Sequence, residues 1–575
     1  MKNRITSEIV VIGFIILVSA VLCWPLINPG LFQIHDDQQV ARLFLFDQAL
    51  SAGQFPVRWV SGLGFGFGYP LFVFYPPFVY ALSELIHLTG AGFVDSIKIV
   101  FALSLVLSGI SMYLLGKSFS GRLGGLVAAV FYMATPYRAL DVYARGALSE
   151  AFSFVWLPLV ILSFYKLSQG KHVSNKYILL GIFSLAFLMT THNLVFLPFT
   201  LFLVPFIAYL FVTSANKKIF SVSSFLTLVL SAGLSAFFWI PSLLEKQYTI
   251  VDQMLLTSLA NYNIHFVYFQ QLWNWPWGFG GSAPGLEDGI SFKIGKLNIV
   301  LTFVSALLAL LVMKYRNRQP QARLTVLFFA LFIFAGFMTT SYSQIIWQML
   351  PPLAYLQFPW RFLIFTTLFS AILAGLFIYL VRLPILRIIF AVLLVVLLLV
   401  PNIKLFQPQF YRSWLTDQEA TGSQVISWDV SSTSFEYVPK GVALHKGKNG
   451  VNVLNLEQRE IPKNPIELLE GQGEVKNLSV LSNQIKFNMQ ASVKTTVRAN
   501  LFNFPLWVVK VDGRSVRIND TNQLKLITFT VPAGSHAVEI KFEDTTVRKI
   551  ANIISVLSLF LVILLTLKKW NKISV

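Results

Sequence analysis

The residues best suited to chemistry fall in two short segments and at a few outlying positions. Residues 33–42 read Gln-Ile-His-Asp-Asp-Gln-Gln-Val-Ala-Arg, which sets the carboxylates of Asp36 and Asp37 side by side after His35. A carboxylate can take a hydroxyl proton or join a metal site. Asp36 could instead cap the following helix by accepting a hydrogen bond from a free backbone N–H, a task that needs only one of the pair. The second segment, Tyr137-Arg-Ala-Leu-Asp-Val-Tyr-Ala-Arg-Gly-Ala-Leu-Ser-Glu150, gathers Asp141, Arg145 and Glu150. Glu150 opens an apolar helix, where the helix dipole alone favours an acid. Arg145 carries the planar fork that suits phosphate, and Arg58 and Arg361 are its reserves. His192 lies in Thr190-Thr-His-Asn193; a lone interfacial His more often serves a structural hydrogen bond.

The elements that must position these residues are membrane spans. Of 575 residues, 55% are hydrophobic and 12% charged, against about 25% charged in a soluble domain. Apolar runs long enough to cross or nearly cross a bilayer occur at 9–26, 97–116, 123–135, 151–165, 177–191, 194–213, 219–240, 297–313, 324–340, 362–381, 385–401 and 550–567, giving about twelve transmembrane helices. The stretch Leu71 to Leu88 is interrupted by Pro76, Pro77, Glu84 and His87 and reads as a juxtamembrane or re-entrant helix on the outer face. With that stretch outside, the basic residues Lys117, Arg122, Lys217, Lys218, Arg316, Arg382, Arg387 and Lys568 all fall inside, alongside the single acid Glu8. Both termini are then cytoplasmic. The formal charge of +19 thus belongs partly to an anionic inner leaflet, and no nucleic-acid partner is implied. Cys23 is the single cysteine, so an intrachain disulfide is excluded.

The organisation expected is a transmembrane domain over 1–401, with outer loops 28–95 and 136–150 carrying the chemistry. An extracytoplasmic β-rich domain follows over 402–548, and 549–575 form a last anchor with a basic cytoplasmic tail. Alternation of apolar and polar residues predicts strands at Lys486 to Asn500, Leu506 to Val511, Leu524 to Val531 and His536 to Phe542, with turns at Asp512-Gly513 and Ala533-Gly534. A small antiparallel sandwich accounts for them. The outer loop from Pro241 to Lys293 holds Trp273-Asn-Trp-Pro-Trp277, whose rings could stack on a sugar but would collect at a membrane interface in any case.

These motifs, in this order and on this side, resemble the GT-C superfamily of membrane glycosyltransferases. Within it they are similar to the YfhO-like and 6-pyruvoyl-tetrahydropterin-synthase-related bacterial membrane proteins, a label that implies no pterin chemistry. The resemblance rests on the acid pair, Gly53-Gln-Phe-Pro-Val-Arg58-Trp, Gly68-Tyr69-Pro-Leu, Tyr143-Ala-Arg-Gly-Ala-Leu-Ser-Glu150 and Thr-His-Asn193. In the tail it rests on Glu436-Tyr-Val-Pro439 and Phe504-Pro-Leu-Trp507. It implies a GT-C-like helical fold in a bacterial plasma membrane, and transfer of a sugar from a polyprenyl-phosphate donor to an outer saccharide, lipid or protein acceptor. Asp36, Asp37 and Glu150 are the implied catalytic set. His35, Arg58, Tyr69, Asp141, Tyr143, Arg145, His192 and Arg361 are the implied substrate-binding set. A divalent cation, Mg or Mn, is left open with its ligands unassigned. Related members often carry a His two residues after the acid pair, where this chain has Gln39.

Two other classes compete. A transporter or flippase of a lipid-linked saccharide would also have many spans, but its charged site would sit near the midplane in paired, interrupted helices, whereas these acids lie in outer loops. A non-catalytic envelope assembly factor would tolerate loss of the Asp36/Asp37 pair. No P-loop, zinc motif or Ser nucleophile elbow is present.

Overall fold

In the computed structural model, residues 2–170, 172–255, 261–313, 319–447 and 452–567 are described. Arg316 and the basic tail from Lys568 lie outside them. Among the described residues nine helices are long and apolar enough to cross a membrane, the architecture of a multi-pass membrane protein. The shorter apolar helices are Phe78–His87, Asn175–Thr191 and Lys296–Val312.

The apolar runs 97–116 and 123–135 lie in one 41-residue element, Phe93–Met133, interrupted at Gly121. Gly121 has φ 78°, a left-handed conformation that glycine adopts without a steric penalty. The two halves fold back so closely that a Cβ on Gly116 would stand 2.9 Å from the Gly125 Cα. Glu8 secures this turn: it accepts from Tyr113 at 2.7 Å and pairs with Lys117 at 2.8 Å and Arg122 at 2.6 Å. Glu8 therefore holds the first helix to the hairpin.

Leu71 to Leu88 resolves into the turn Leu71–Phe74 and the ten-residue helix Phe78–His87. At 1.5 Å per residue that helix covers about 15 Å, half a bilayer core. The span at 219–240 divides at Ser235 into Lys217–Leu234 and Ala236–Glu245.

The tail begins with short helical turns rather than strands. Strand β1 (Leu31–Phe32) of the first outer loop pairs with β2 (Tyr411–Arg412), just beyond the helix Pro384–Asn402. The β-rich part starts with the hairpin β3 (Leu444–Lys446) and β4 (Asn452–Leu454). It continues with β5 (Ile466–Glu470), β6 (Gly473–Leu481), β7 (Gln484–Ala491), β8 (Thr495–Phe502), β9 (Trp507–Val511), β10 (Arg514–Val516), β11 (Leu526–Val531) and β12 (Gly534–Phe542). Two antiparallel sheets result, ordered β10-β9-β12-β7-β6 and β11-β8-β5. Ile485, Phe487, Met489 and Ala491 of β7 are buried at alternate positions, as a sheet with one covered face requires. The run expected as one strand over 486–500 is two, β7 and β8, in different sheets. Alternation alone cannot reveal that crossing, because its period of two carries across the intervening turn.

The tail is fastened to the membrane part by a second polar cluster. Arg548, fully buried at the start of the last helix Thr546–Leu567, grips Glu245 through Nε at 2.9 Å and Nη2 at 2.8 Å. Arg58 binds Asn552 at 2.8 Å, the Phe237 carbonyl at 3.2 Å and Asp544 at 3.4 Å.

Candidate active site

The segment 136–150 folds as a short helix, Pro136–Leu140, then one π-helical turn, Asp141–Arg145, then the helix Leu148–Gln169. Pro136 fits the first helical position, and wide π turns recur at functional sites. Gly146 follows with φ 64°, and a Cβ there would meet Ile34 at 2.4 Å. Glycine therefore lets the first outer loop lie directly on this turn. The N–H groups of His35 and Asp36 donate to the carbonyls of Ala144 at 3.1 Å and Arg145 at 2.9 Å. Gln39 Nε2 donates to the Gly146 carbonyl at 3.1 Å, and the Tyr80 hydroxyl donates to Gln39 Oε1 at 2.7 Å. At this position the chain uses an amide to join the two outer loops.

Arg145 is held by both neighbouring acids. Its Nη1 bonds Asp141 at 2.7 Å and its Nη2 bonds Glu150 at 2.9 Å. Tyr137 donates its hydroxyl to the other Glu150 oxygen, and the guanidinium lies 4.6 Å over the Trp360 ring. Asp141 and Glu150 are fully buried. Asp141, Arg145 and Glu150 thus form a buried triad, where removing one member is costly.

The neighbouring groups are left unmatched. Among the described residues, Arg361 Nε and Nη1, His192 Nδ1, Trp360 Nε1 and Asp141 Oδ2 are buried without a hydrogen-bond partner. Glu150 lies within electrostatic reach of Arg361 and His192, and Arg361 within reach of Asp36. Native interiors seldom leave polar atoms unsatisfied, so this group holds spare hydrogen-bonding capacity that water or a polar ligand would meet.

The acid pair divides. Asp37 lies 3.6 Å from Arg412 of the tail, and partial burial, opposed by Arg412, raises its carboxyl above the usual range. The Asp36 carboxylate has no hydrogen bond or ion pair with any described residue. The helix that follows, Gln39–Ser51, starts from Gln38 with no side-chain cap, so the capping role considered for Asp36 is absent. His35 Nε2 lies 2.9 Å from the Phe279 carbonyl, which brings the tryptophan-rich loop over the acid pair.

Other expected residues lie at the margin. Arg58 is bound in the tail cluster described above. Tyr143 donates to the Leu22 carbonyl at 2.6 Å. Tyr69 is fully buried and accepts from the Tyr437 N–H at 2.9 Å. Tyr137, Trp360 and Arg412 were not among the expected site residues. Tyr137 opens the motif that contains Arg145 and Trp360 adjoins Arg361, whereas nothing near Arg412 in the sequence points to Asp37. Among the described residues no group of three or more His, Cys, Asp or Glu is arranged to hold a metal ion.

No family model matches the chain, and no curated protein does. Among solved structures, it is similar to the arabinofuranosyltransferase AftD from Mycobacteria (13% identity, TM-score 0.44), covering 69% of this chain and 27% of that one. The R1389S mutant of AftD gives 14% identity and a TM-score of 0.44, over 69% and 28%. The apo oligosaccharyltransferase of Archaeoglobus fulgidus gives 13% identity and a TM-score of 0.39, over 72% and 56%. The chain thus spans between about a quarter and just over half of those proteins. Likenesses of this size leave the functional reading to the site.

Proposed function

We propose that the chain is a membrane glycosyltransferase that moves a sugar from a polyprenyl-phosphate-linked donor to an acceptor on the outer face. The observation that carries this reading is the unpaired carboxylate of Asp36, whose N–H is bonded to the Arg145 carbonyl, beside the Trp360-Arg361 pair, in which Trp360 covers Arg145 and Arg361 Nε and Nη1 are buried without a partner among the described residues. A displacement at the anomeric carbon needs those two parts: a base for the acceptor hydroxyl and donors for the departing phosphate.

In the proposed step Asp36 takes the acceptor proton as the acceptor oxygen bonds the anomeric carbon. The bond from that carbon to the phosphate oxygen breaks, its electron pair stays on the phosphate, and the anomeric configuration inverts. Arg361 receives the phosphate, aided by Trp360 Nε1 and His192 Nδ1 when that nitrogen bears the proton. Arg145 was the first candidate for this role, but its forked nitrogens are engaged by Asp141 and Glu150, so it and Glu150 form the scaffold beneath the phosphate. Asp37, turned toward Arg412, orients the loop. Twelve spans with both termini inside and a bacterial plasma membrane complete the proposal; they leave the reacting groups where a lipid-borne donor meets water.

The test is mass analysis of lipid-linked sugars and envelope polymers in cells carrying Asp36→Asn or Arg361→Lys. Donor accumulates and product disappears at normal protein abundance. Full product from the Asp36→Asn chain would refute the mechanism.

A further inference from the structure

Beside the acid pair, a second group of polar residues joins the first outer loop to the tail. Arg42 is 3% exposed, and its guanidinium lies 4.2 Å over the Tyr75 ring. Its Nη2 donates to Gln38 Oε1 at 2.9 Å and to Ser434 Oγ at 3.2 Å, while its Nε is buried without a partner among the described residues. Ser434 Oγ in turn lies 3.3 Å from the nearer Glu436 carboxylate oxygen. Tyr437, the next residue, places its ring 5.6 Å from Tyr69 and 4.9 Å from Phe74.

This is not a closed structural ion pair. Arg42 and Glu436 feel each other's charge but form no salt bridge, and a serine stands between them. A buried guanidinium with an unused N–H normally draws in the nearest carboxylate, because an unmatched buried donor is costly. Here the opposite charges are kept apart by a small hydroxyl. Gln38, Tyr75, Glu436 and Tyr437 are all half-buried, so each keeps a surface open to an incoming molecule while Arg42 is fixed behind them. Gln38 is two residues from Asp36.

A carboxylate accepting from hydroxyls, an amide and a guanidinium donating to ring oxygens, and aromatic faces against C–H groups are together the chemistry that holds a sugar ring. We propose that this cluster is the acceptor subsite and that the acceptor is a saccharide, held by Glu436, Gln38, Tyr75 and Tyr437 so that one hydroxyl reaches Asp36. The proposal rests on the glycosyl-transfer reading and adds to it the acceptor's class and a direct role for the tail in binding.

The test is saturation-transfer NMR on the full chain in lipid nanodiscs, with methyl glycosides of the common hexoses and N-acetylhexosamines as probes. At least one probe binds the wild-type chain, and Glu436→Gln weakens it roughly tenfold or more, the usual effect of losing a hydrogen bond to a charged group. Gln38→Ala, which removes no charge, serves if Glu436→Gln lowers abundance, and a weakened probe is again the expected result. Asp36→Asn leaves probe binding intact while it stops transfer. Absence of binding by every glycoside, or unchanged affinity in the Glu436→Gln and Gln38→Ala chains, overturns the subsite. That result is separate from loss of the transfer reading, which is decided by product formation in the Asp36→Asn chain.

Discussion

Arg412 Nη1 stands 3.6 Å from Asp37 Oδ2, and this single contact separates two adjacent carboxylates that the sequence presents as equals. One faces a cation supplied by the tail; the other, Asp36, has no such partner among the described residues and is the base in the proposed step. Replacing Asp36 by Asn should lower transfer by about 10²-fold or more, the usual weight of a general base. Asp37→Asn should have a much smaller effect, matched by Arg412→Ala, because a partly exposed ion pair is worth about 0–1 kcal/mol. Turnover of lipid-linked donor in membranes from the three variants checks the ranking; equal losses in Asp36→Asn and Asp37→Asn would contradict it.

Arg145 and Arg361 should fail in different ways. Arg145→Ala leaves two buried carboxylates uncompensated, at a cost of roughly 3–5 kcal/mol, and should be seen as lost abundance and a lower Tm. Arg145→Lys cannot hold both acids with a fork and should be intermediate. Arg361→Ala breaks no hydrogen bond at Nε or Nη1, so the chain should accumulate normally while transfer falls roughly 10²- to 10³-fold. Parallel measurement of membrane abundance and turnover distinguishes the two arginines.

Glu245 and Arg548 should behave as a structural lock without direct catalytic weight. Both are buried, and Glu245→Gln removes the charge that balances Arg548, again at roughly 3–5 kcal/mol. The expected result is protease sensitivity of the tail with the spans still inserted. Unchanged proteolysis would show that the tail is held by its other contacts alone.

The proposed sidedness is checked by cysteine labelling in a Cys23→Ser background. Gly90 has φ 102°, which a cysteine side chain would strain, so Asp95, 65% exposed and paired with Lys98, is the better outer position. Asp95→Cys should react with an impermeant reagent in intact cells, and Lys117→Cys, at a side chain 38% exposed, only after permeabilisation. Reversal of the two would invert the arrangement of the outer loops and the assignment of the site.

In the tail, His536 lies 2.7 Å from Asp512. Donating Nδ1–H to the Asp512 carboxylate raises the His536 imidazole above its ordinary value, and accepting that bond lowers the Asp512 carboxyl. The His536 contribution is therefore full below the ordinary His value and is lost as pH rises through the raised one. The Asp512 contribution is full above the ordinary Asp range and is lost as pH falls through the lowered one. Stabilisation by this pair should peak between those limits. The pair is exposed, so the effect is small: Tm against pH for wild type and His536→Ala should differ most between the limits and converge beyond them.

Much of the helical framework was legible because a bilayer imposes length and apolarity on each span, and the break at Gly121 fell between two separately expected runs. That Asp141, Arg145 and Glu150 lie together, and that Asp36 and Asp37 are neighbours, was legible because each motif is contiguous. What stayed hidden was pairing at long range. Nothing in residues 409–414 indicates that Arg412 meets Asp37, and nothing near Asn552 indicates that it receives Arg58. The choice between Arg145 and Arg361 was also hidden, because it depends on which guanidinium has its hydrogen bonds already satisfied. Glu436 and Arg42 are far apart in the chain, and only folding shows that they stop short of a direct pair.

The pairing of β1 with β2 has a consequence for the order in which the protein is made. Synthesis delivers the first outer loop early, whereas its companion strand follows a helix that ends at Asn402, and the anchor for Arg58 comes later still in the final helix. A growing chain therefore carries Asp36 and Asp37 well before Arg412 can orient them. Readiness of that loop is tied to arrival of the last segments, so a ribosome that stalls within the tail leaves an inserted but unassembled protein.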